Sequence, residues 1–406
     1  MSTKNRISDI EFISLMASLM ALAALSIDAL LPSLDVIGES IGTTDPKNNQ
    51  FLIIVIVLGL GLGQLVSGAL SDSIGRKPVM YIGCSLFAIA SIICVFANNF
   101  ELMVLGRLLQ GVGLSAPRSV SMAIIRDKYI GDLMAKVMSY ITVVFILAPV
   151  VAPTLGKLLL DQFGWQSIFY SQLIFGVFVT IWLWQRQPET LKEENKKTMN
   201  WALFRDGTKE FFKHPKAVVY TIVSGIISAP FLAYISASQQ IFSQQYNLGE
   251  VYPYIFSGLA LGIGVATFLN GSLVMKYGMK RMATIPMYAM LAITLTYVLM
   301  YNGGNPDSTI FIGFLGLVLF TIGFVFGNLN ALAMQPIGHI AGIGASIIGF
   351  LSTLVSVPLA TLIGQFVDTS SLPIFIGFAS CVGISLVLMQ MVNRTTQTEK
   401  ISIRTN

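Results

Sequence analysis

A few charged side chains stand well inside the long apolar runs of this 406-residue chain, among them Asp28, Arg107 and Arg118. An ionised group in bilayer hydrocarbon costs roughly 2.5–3.5 kcal/mol on insertion scales, so one that is kept there has a task or a partner. Asp28 is the one carboxylate so placed. A carboxylic acid shut away from water takes or gives up its proton according to the charge beside it, which is the chemistry of a coupling group. At about 1.5 Å per helical residue, Asp28 lies roughly 24 Å from Phe12, and Arg107 roughly 10 Å from Phe100. With the first run rising from the inner face and the fourth descending from the outer, the two reach similar depth and can serve one cavity as a proton-coupling pair. Arg118 follows three turns after Arg107, within about 20° of the same face. Gln110, Gly111, Leu114 and Ser115 complete that stripe, and two arginines on it suit an anionic group. Plainer readings stand beside these: Asp28 caps or kinks a helix near Pro32, Arg107 is a packed structural ion, and Arg118 snorkels to lipid phosphate.

The second half of the chain keeps its carboxylates in loops or at run ends. Its polar groups Tyr234, Ser236, Gln239, Gln240, Asn270, Asn328 and Asn330 either line a cavity or bond between helices. His339 reads as structural. Cys84, Cys94 and Cys381 lack ligand spacing and read as small buried hydrophobes. No phosphate-binding loop, metal cluster or nucleophile–base pair is present, so the expectation is a non-enzyme with no cofactor.

What must position these residues follows from composition. The chain is 54% hydrophobic and 11% charged, against roughly 25% charged in a soluble domain. A core about 30 Å thick asks for roughly 20 apolar residues per helix. Segments of that kind lie near 12–34, 50–70, 78–97, 100–125, 135–160, 165–184, 217–243, 251–274, 282–301, 309–332, 344–367 and 372–392. The first, which lacks an A-x-A-like cleavage site, reads as a retained helix. Residues 185–216 form a charged linker, and its stretch from Trp201 to Phe212 reads as an interfacial amphipathic helix. With both termini inside, 21 of the 25 lysines and arginines fall in cytoplasmic segments, which fixes the orientation and explains the basic balance without nucleic acid.

The halves repeat. Leu58-Gly59-Leu60-Gly61 recurs as Leu261-Gly262-Ile263-Gly264, and Gly68, Gly75 and Lys77 as Gly271, Gly278 and Lys280, always 203 residues apart. Six spans per half make the repeat parallel. The expected fold is all-α and integral to the membrane, with twelve transmembrane helices in two six-helix bundles: 1–184, then the linker 185–216, then 217–406. Two related halves around a midplane site suit alternating access.

Motifs then narrow the reading. Gly68-Ala-Leu-Ser-Asp72-Ser-Ile-Gly75-Arg76-Lys77-Pro78 resembles the signature loop of the major facilitator superfamily, with Ser73 where the pattern has a basic residue. Arg107-Leu-Leu-Gln110-Gly111-Val-Gly113 resembles its fourth-helix motif, and Gly164-Trp165-Gln-Ser-Ile-Phe169 the start of its sixth helix. Ala148-Pro149-Val-Val-Ala-Pro153-Thr-Leu-Gly156 resembles its antiporter motif. Asp28-Ala-Leu-Leu-Pro32, Ala123-Ile-Ile-Arg126-Asp127, Ala233-Tyr234-Ile-Ser236 and Pro336-Ile-Gly-His339-Ile-Ala-Gly342 resemble the bicyclomycin-resistance (Bcr/CflA) type of drug/proton antiporter. That type usually has arginine where this chain has Met122; here Arg118 stands one turn earlier.

The resemblance implies a multi-pass protein of the bacterial inner membrane that exports a small organic molecule or drug in exchange for protons. Asp28 and Arg107 would couple protons. Arg118, Gln110, Ser115, Tyr234, Gln239, Asn328 and Asn330 would line the substrate cavity. Asp72, Gly75, Arg76 and Lys77 would form a conformational latch, and Pro149, Pro153 and Gly156 a kink. The expected partners are substrate, protons and lipid, with the protein a monomer. The alternative within transport is an anionic, siderophore-like or carboxylate-bearing metabolite. A membrane enzyme or a channel lacks support in these residues.

Overall fold

Proline, glycine and capping side chains set the helix boundaries. The computed structural model describes residues 7–43, 45–129, 131–196 and 201–405, with the side chains of most of them. Helix α1, Asp9–Asp28, begins where the Ser8 hydroxyl accepts from the Glu11 amide at 3.2 Å. It stops at Asp28 because Pro32 has no N–H to offer the Asp28 carbonyl. A 3₁₀ turn, Leu31–Ser33, and a short α2, Leu34–Ser40, follow. Asp45 caps α3, Pro46–Ile74, with Pro46 in its first turn, where a missing N–H goes unnoticed. Gly75, at φ 112°, turns the chain into α4, Arg76–Val95. Asn99 caps α5, Phe100–Lys128, and α6, Gly131–Phe163, and α7, Gln166–Arg186, complete the first half.

The linker holds α8, Trp201–Phe212. After it come α9, Pro215–Gln240, α10, Tyr252–Tyr277, and α11, Met279–Met300. Next are α12, Ser308–Met334, α13, Ala341–Gly364, and α14, Leu372–Thr405. Among the described residues no strand occurs, and ten helices are long and apolar enough to cross a membrane. Helices α5 and α6 are 29 and 33 residues long but fall outside those ten. In α5 the reason is charge: Glu101, Arg107, Arg118, Arg126, Asp127 and Lys128 all ride on it.

The chain divides into two compact units, Met1–Trp201 with Leu248–Leu261, and Ala202–Asn247 with Gly262–Asn406. In the first, α3 and α5 touch backbone to backbone. A Cβ on Gly59 would stand 2.1 Å from the Leu108 carbonyl oxygen, and one on Gly111 2.1 Å from that of Ile56. Small residues permit such contact where burying apolar surface supplies no drive between helices. Helices α1 and α7 are also tied, since Glu11 accepts from Arg186 at 2.6 and 2.8 Å and from the Trp182 indole at 3.2 Å.

The second unit packs around aromatic rings. Tyr297 stacks on Phe375 at 3.6 Å between centroids, and its hydroxyl meets Ser371 at 2.8 Å. The repeat seen in the sequence is present in the backbone: Gly278, at φ 80°, joins α10 to α11 as Gly75 joins α3 to α4. Met275 and Met279 stand at the positions of Asp72 and Arg76, so the second copy has the turn without the charges.

Candidate functional site

Arg107 is fully buried in α5, and its guanidinium reaches two other helices. Its Nε donates to the Leu52 carbonyl of α3 at 3.1 Å, and Nη1 donates to the Ser26 carbonyl of α1 at 3.0 Å. Nη1 also donates to Gln110 Oε1 at 2.9 Å. Gln110 is held for this purpose: its Nε2 donates to Ser91 Oγ at 2.9 Å, and Ser91 donates to the Phe87 carbonyl. Gln110 is itself fully buried and so supports Arg107 from behind instead of lining open space. Nη2 of Arg107 is buried with no hydrogen-bond partner among the described residues.

Asp28 ends α1 two residues beyond Ser26 and is 5% exposed. Its carboxylate has no hydrogen bond or ion pair among the described residues, and every Arg107 bond goes to a neutral acceptor. The structure therefore brings Arg107 to the end of the helix that carries Asp28 without pairing the two charges. Against that same end lies the antiporter motif. Pro149 and Pro153 are inside α6, and a Cβ on Gly156 would come within 1.9 Å of the Ala29 carbonyl oxygen.

Arg118, on the Arg107 face of α5, is exposed, and no hydrogen bond or ion pair engages it among the described residues. Ser115 is turned back on its own helix, donating to the Val112 carbonyl at 2.7 Å. In the second unit Tyr234 is buried. Gln239 Nε2 reaches Ser243 Oγ at 3.5 Å. Asn328 Nδ2 donates to Asn270 Oδ1 and to the Phe324 carbonyl, both at 2.7 Å, and Asn330 is exposed. The His339 side chain lies outside the described residues. A crevice of about 350 Å³ along α6, lined by Thr154, Leu158, Asp161, Pro253 and Tyr254 among others, holds none of the expected site residues.

The signature loop is a closed network. Arg76 is buried and pairs with Asp72 one turn back on α3. Its Nε donates to Asp127 Oδ2 at the end of α5 at 3.0 Å, and its Nη1 to Ser71 Oγ at 2.9 Å. Glu189, just past α7, caps α4: its carboxylate accepts from the Arg76 amide at 3.0 Å and the Lys77 amide at 2.9 Å. Burial works to raise the Glu189 pKa, but the amides of Leu191, Lys77, Arg76 and Thr190 outweigh it and hold the carboxyl below its ordinary value. Thr190 donates to Asp127 Oδ2 at 2.8 Å and closes the ring. Gly75 is required by its φ of 112°, which L side chains rarely adopt, and a Cβ there would also crowd Glu189 Oε2 at 2.8 Å. Lys77 stands at the rim and donates to the Trp184 carbonyl at 3.3 Å.

Of this ring, sequence reading singled out Asp72, Gly75, Arg76 and Lys77. It passed over the roles of Asp127, Glu189, Thr190 and Ser71. The signals were there, in the Arg126-Asp127 pair and in the Pro-Glu-Thr-Leu that opens the linker, but nothing local says that they converge.

Comparison with known proteins follows from this geometry. The family model of the Major Facilitator Superfamily matches residues 16–360. A Bacillus subtilis protein described as the uncharacterized MFS-type transporter YdgK is 29% identical over 369 residues, covering 88% of this chain and 89% of its own. A bicyclomycin resistance protein homolog of Haemophilus influenzae is 26% identical over 383 residues, covering 93% and 94%. The multidrug resistance protein MdtL of Shewanella oneidensis is 26% identical over 376 residues, covering 91% and 93%. Among solved structures, a D-xylose-proton symporter superposes with TM-score 0.74 at 14% identity, over 94% of this chain and 97% of its own. A human organic anion transporter superposes with TM-score 0.64 at 16% identity, over 94% and 100%. At those identities the likeness to solved structures is one of fold. With a family match across most of its length, the chain is a multi-pass membrane transporter, not an enzyme, and belongs to the Major Facilitator Superfamily.

Proposed function

We propose that this transporter is a proton-coupled antiporter that exports a small organic molecule across the bacterial inner membrane, with both termini in the cytoplasm. The observation that carries the reading is Asp28: a carboxylate 5% exposed at the end of a spanning helix, without a partner among the described residues. A buried acid with no fixed counter-charge changes protonation when its surroundings change. Arg107 is the cation nearest to hand by its hold on Ser26, and its uncommitted Nη2 gives it a donor to offer in another state. Proton and substrate then compete for stabilisation by one site. Relatives named for bicyclomycin and multidrug resistance support export of a drug-like molecule. Residues 1–184 and 217–406 act as the two six-helix halves, with 185–216 as linker, and the Asp72–Arg76–Asp127 network latches the inner face in part of the cycle.

The test is proton release from detergent-purified protein on adding substrate. Asp28→Asn imitates the protonated state permanently, so it abolishes release and pH-driven transport while retaining substrate binding. Normal release with uphill transport in that variant would make Asp28 structural and overturn the mechanism.

A second reading has its own observation. Arg118 is exposed and unengaged, and a free guanidinium favours a carboxylate-bearing substrate. Thermal stabilisation of the purified protein by cationic, neutral and anionic compounds separates the two readings.

A further inference from the structure

The antiporter motif and the acid on α1 meet at one backbone contact. Gly156 of α6 faces Ala29, the residue directly after Asp28. A Cβ built on Gly156 falls 1.9 Å from the Ala29 carbonyl oxygen, 2.8 Å from its carbonyl carbon and 3.1 Å from its Cα. All three atoms are main chain, so no side-chain rotation relieves the overlap. Either α6 or the end of α1 must move. The end of α1 is the softer of the two, since helical bonding lapses there ahead of Pro32. The Ala29 amide still donates to Leu25 at 3.1 Å, so Ala29 and Asp28 move together.

We propose that Gly156 is a positioning residue for Asp28: the bare backbone of α6 sets how far the end of α1 can rise, and so where the Asp28 carboxylate sits. The proposal rests on Asp28 being the proton carrier. It gives the glycine of the motif a task distinct from that of the two prolines, each of which withholds a backbone hydrogen bond inside α6. A glycine is required here for close approach, because its φ is ordinary and only the space is lacking.

The charged groups on the elements packed against α1 and on the turn after it include Glu101, Arg107 and Arg118 of α5, Lys157 and Asp161 of α6, Asp35 of α2, and Arg186 of α7, which holds Glu11 at the opposite end of α1. Arg107 is held by carbonyls, Lys157 by Asp161 at 2.8 Å and Glu250 at 3.7 Å, and Arg186 by Glu11. A substitution at Gly156 removes none of these charges. A change in Asp28 titration therefore reports displacement of the carboxylate.

The experiment is a pH titration of full-length purified protein followed by infrared difference spectroscopy, with Asp28→Asn identifying the Asp28 carboxyl band. No substrate is needed. Gly156→Ala is expected to shift the midpoint of that band by at least about half a pH unit, a threefold change in proton affinity. Pro32→Ala restores a donor to the Asp28 carbonyl and lets α1 wind on past Ala29. It should shift the same midpoint from the α1 side, and it carries the test if Gly156→Ala does not fold. Gly83→Ala is the control, also too tight for a Cβ (2.5 Å from Ala116 Cβ and 2.7 Å from the Gly113 carbonyl oxygen) but placed between α4 and α5. It should leave the midpoint alone. A band present in wild type yet unmoved in Gly156→Ala and Pro32→Ala, or moved equally by Gly83→Ala, overturns the positioning role and leaves the carrier reading intact. A spectrum indifferent to Asp28→Asn overturns both.

Discussion

Arg107 keeps its charge by bonding to main-chain carbonyls, and that choice ties three helices through one side chain. Lysine has a similar reach but no fork, so it cannot serve Leu52, Ser26 and Gln110 together. Each buried polar group left without a bond costs about 1–3 kcal/mol. Arg107→Lys is therefore expected to lower the melting temperature in detergent, with Gln110→Leu giving a smaller fall through loss of one support. An Arg107→Lys protein as stable as wild type would show that the fork is dispensable. The sequence points to Arg107 and Asp28 because charge is so scarce in the apolar runs. Their partners are another matter. Ser26 and Leu52 lie 81 and 55 residues from Arg107, and a carbonyl has no signature in the sequence. Similar depth suggests that Asp28 and Arg107 serve one cavity, and the acceptors of the guanidinium here, the Leu52 and Ser26 carbonyls and Gln110, are not legible from depth.

At the scale of elements, Glu189 does for α4 what a capping side chain ordinarily does from the residue just before a helix. Gly75 occupies that place and has no side chain, so the first two amides of α4 are met from the end of α7. The carboxyl titrates lower folded than unfolded, where it would lie near 4.3. Its contribution to stability is thus complete above about pH 5 and fades as pH falls through the folded value. Melting curves of wild type and Glu189→Gln should differ at pH 7 and draw together towards pH 3. A gap that stays constant with pH would rule out the carboxylate as the cap. This element was half legible. The turn at Gly75 and its copy at Gly278 follow from the 203-residue repeat. The Glu189 cap does not, because the linker in which it sits reads simply as charged and solvated.

At the scale of the whole molecule, length and apolar composition imply twelve spans, and among the described residues ten helices meet the requirement outright. The fourth span carries the arginines that make it interesting, and they are what lower its apolar character. Orientation rests on where lysine and arginine fall. A cysteine at position 47 is expected to label from outside the cell and one at position 197, outside the described residues, only after permeabilisation; the reverse would invert the topology. The ties at the end of α7 have a consequence for the covalent chain. Glu11 with Arg186 joins α1 to α7, and Glu189 with the start of α4 fastens the first residues of the linker to the same half. Neither tie involves residues 197–200. Doubling the length of a flexible connection costs only about 0.6 kcal/mol of closure entropy. A protease site or a small fluorescent domain spliced in at 197–200 should leave the melting temperature unchanged, and cutting that site after folding should not release the Glu189 cap.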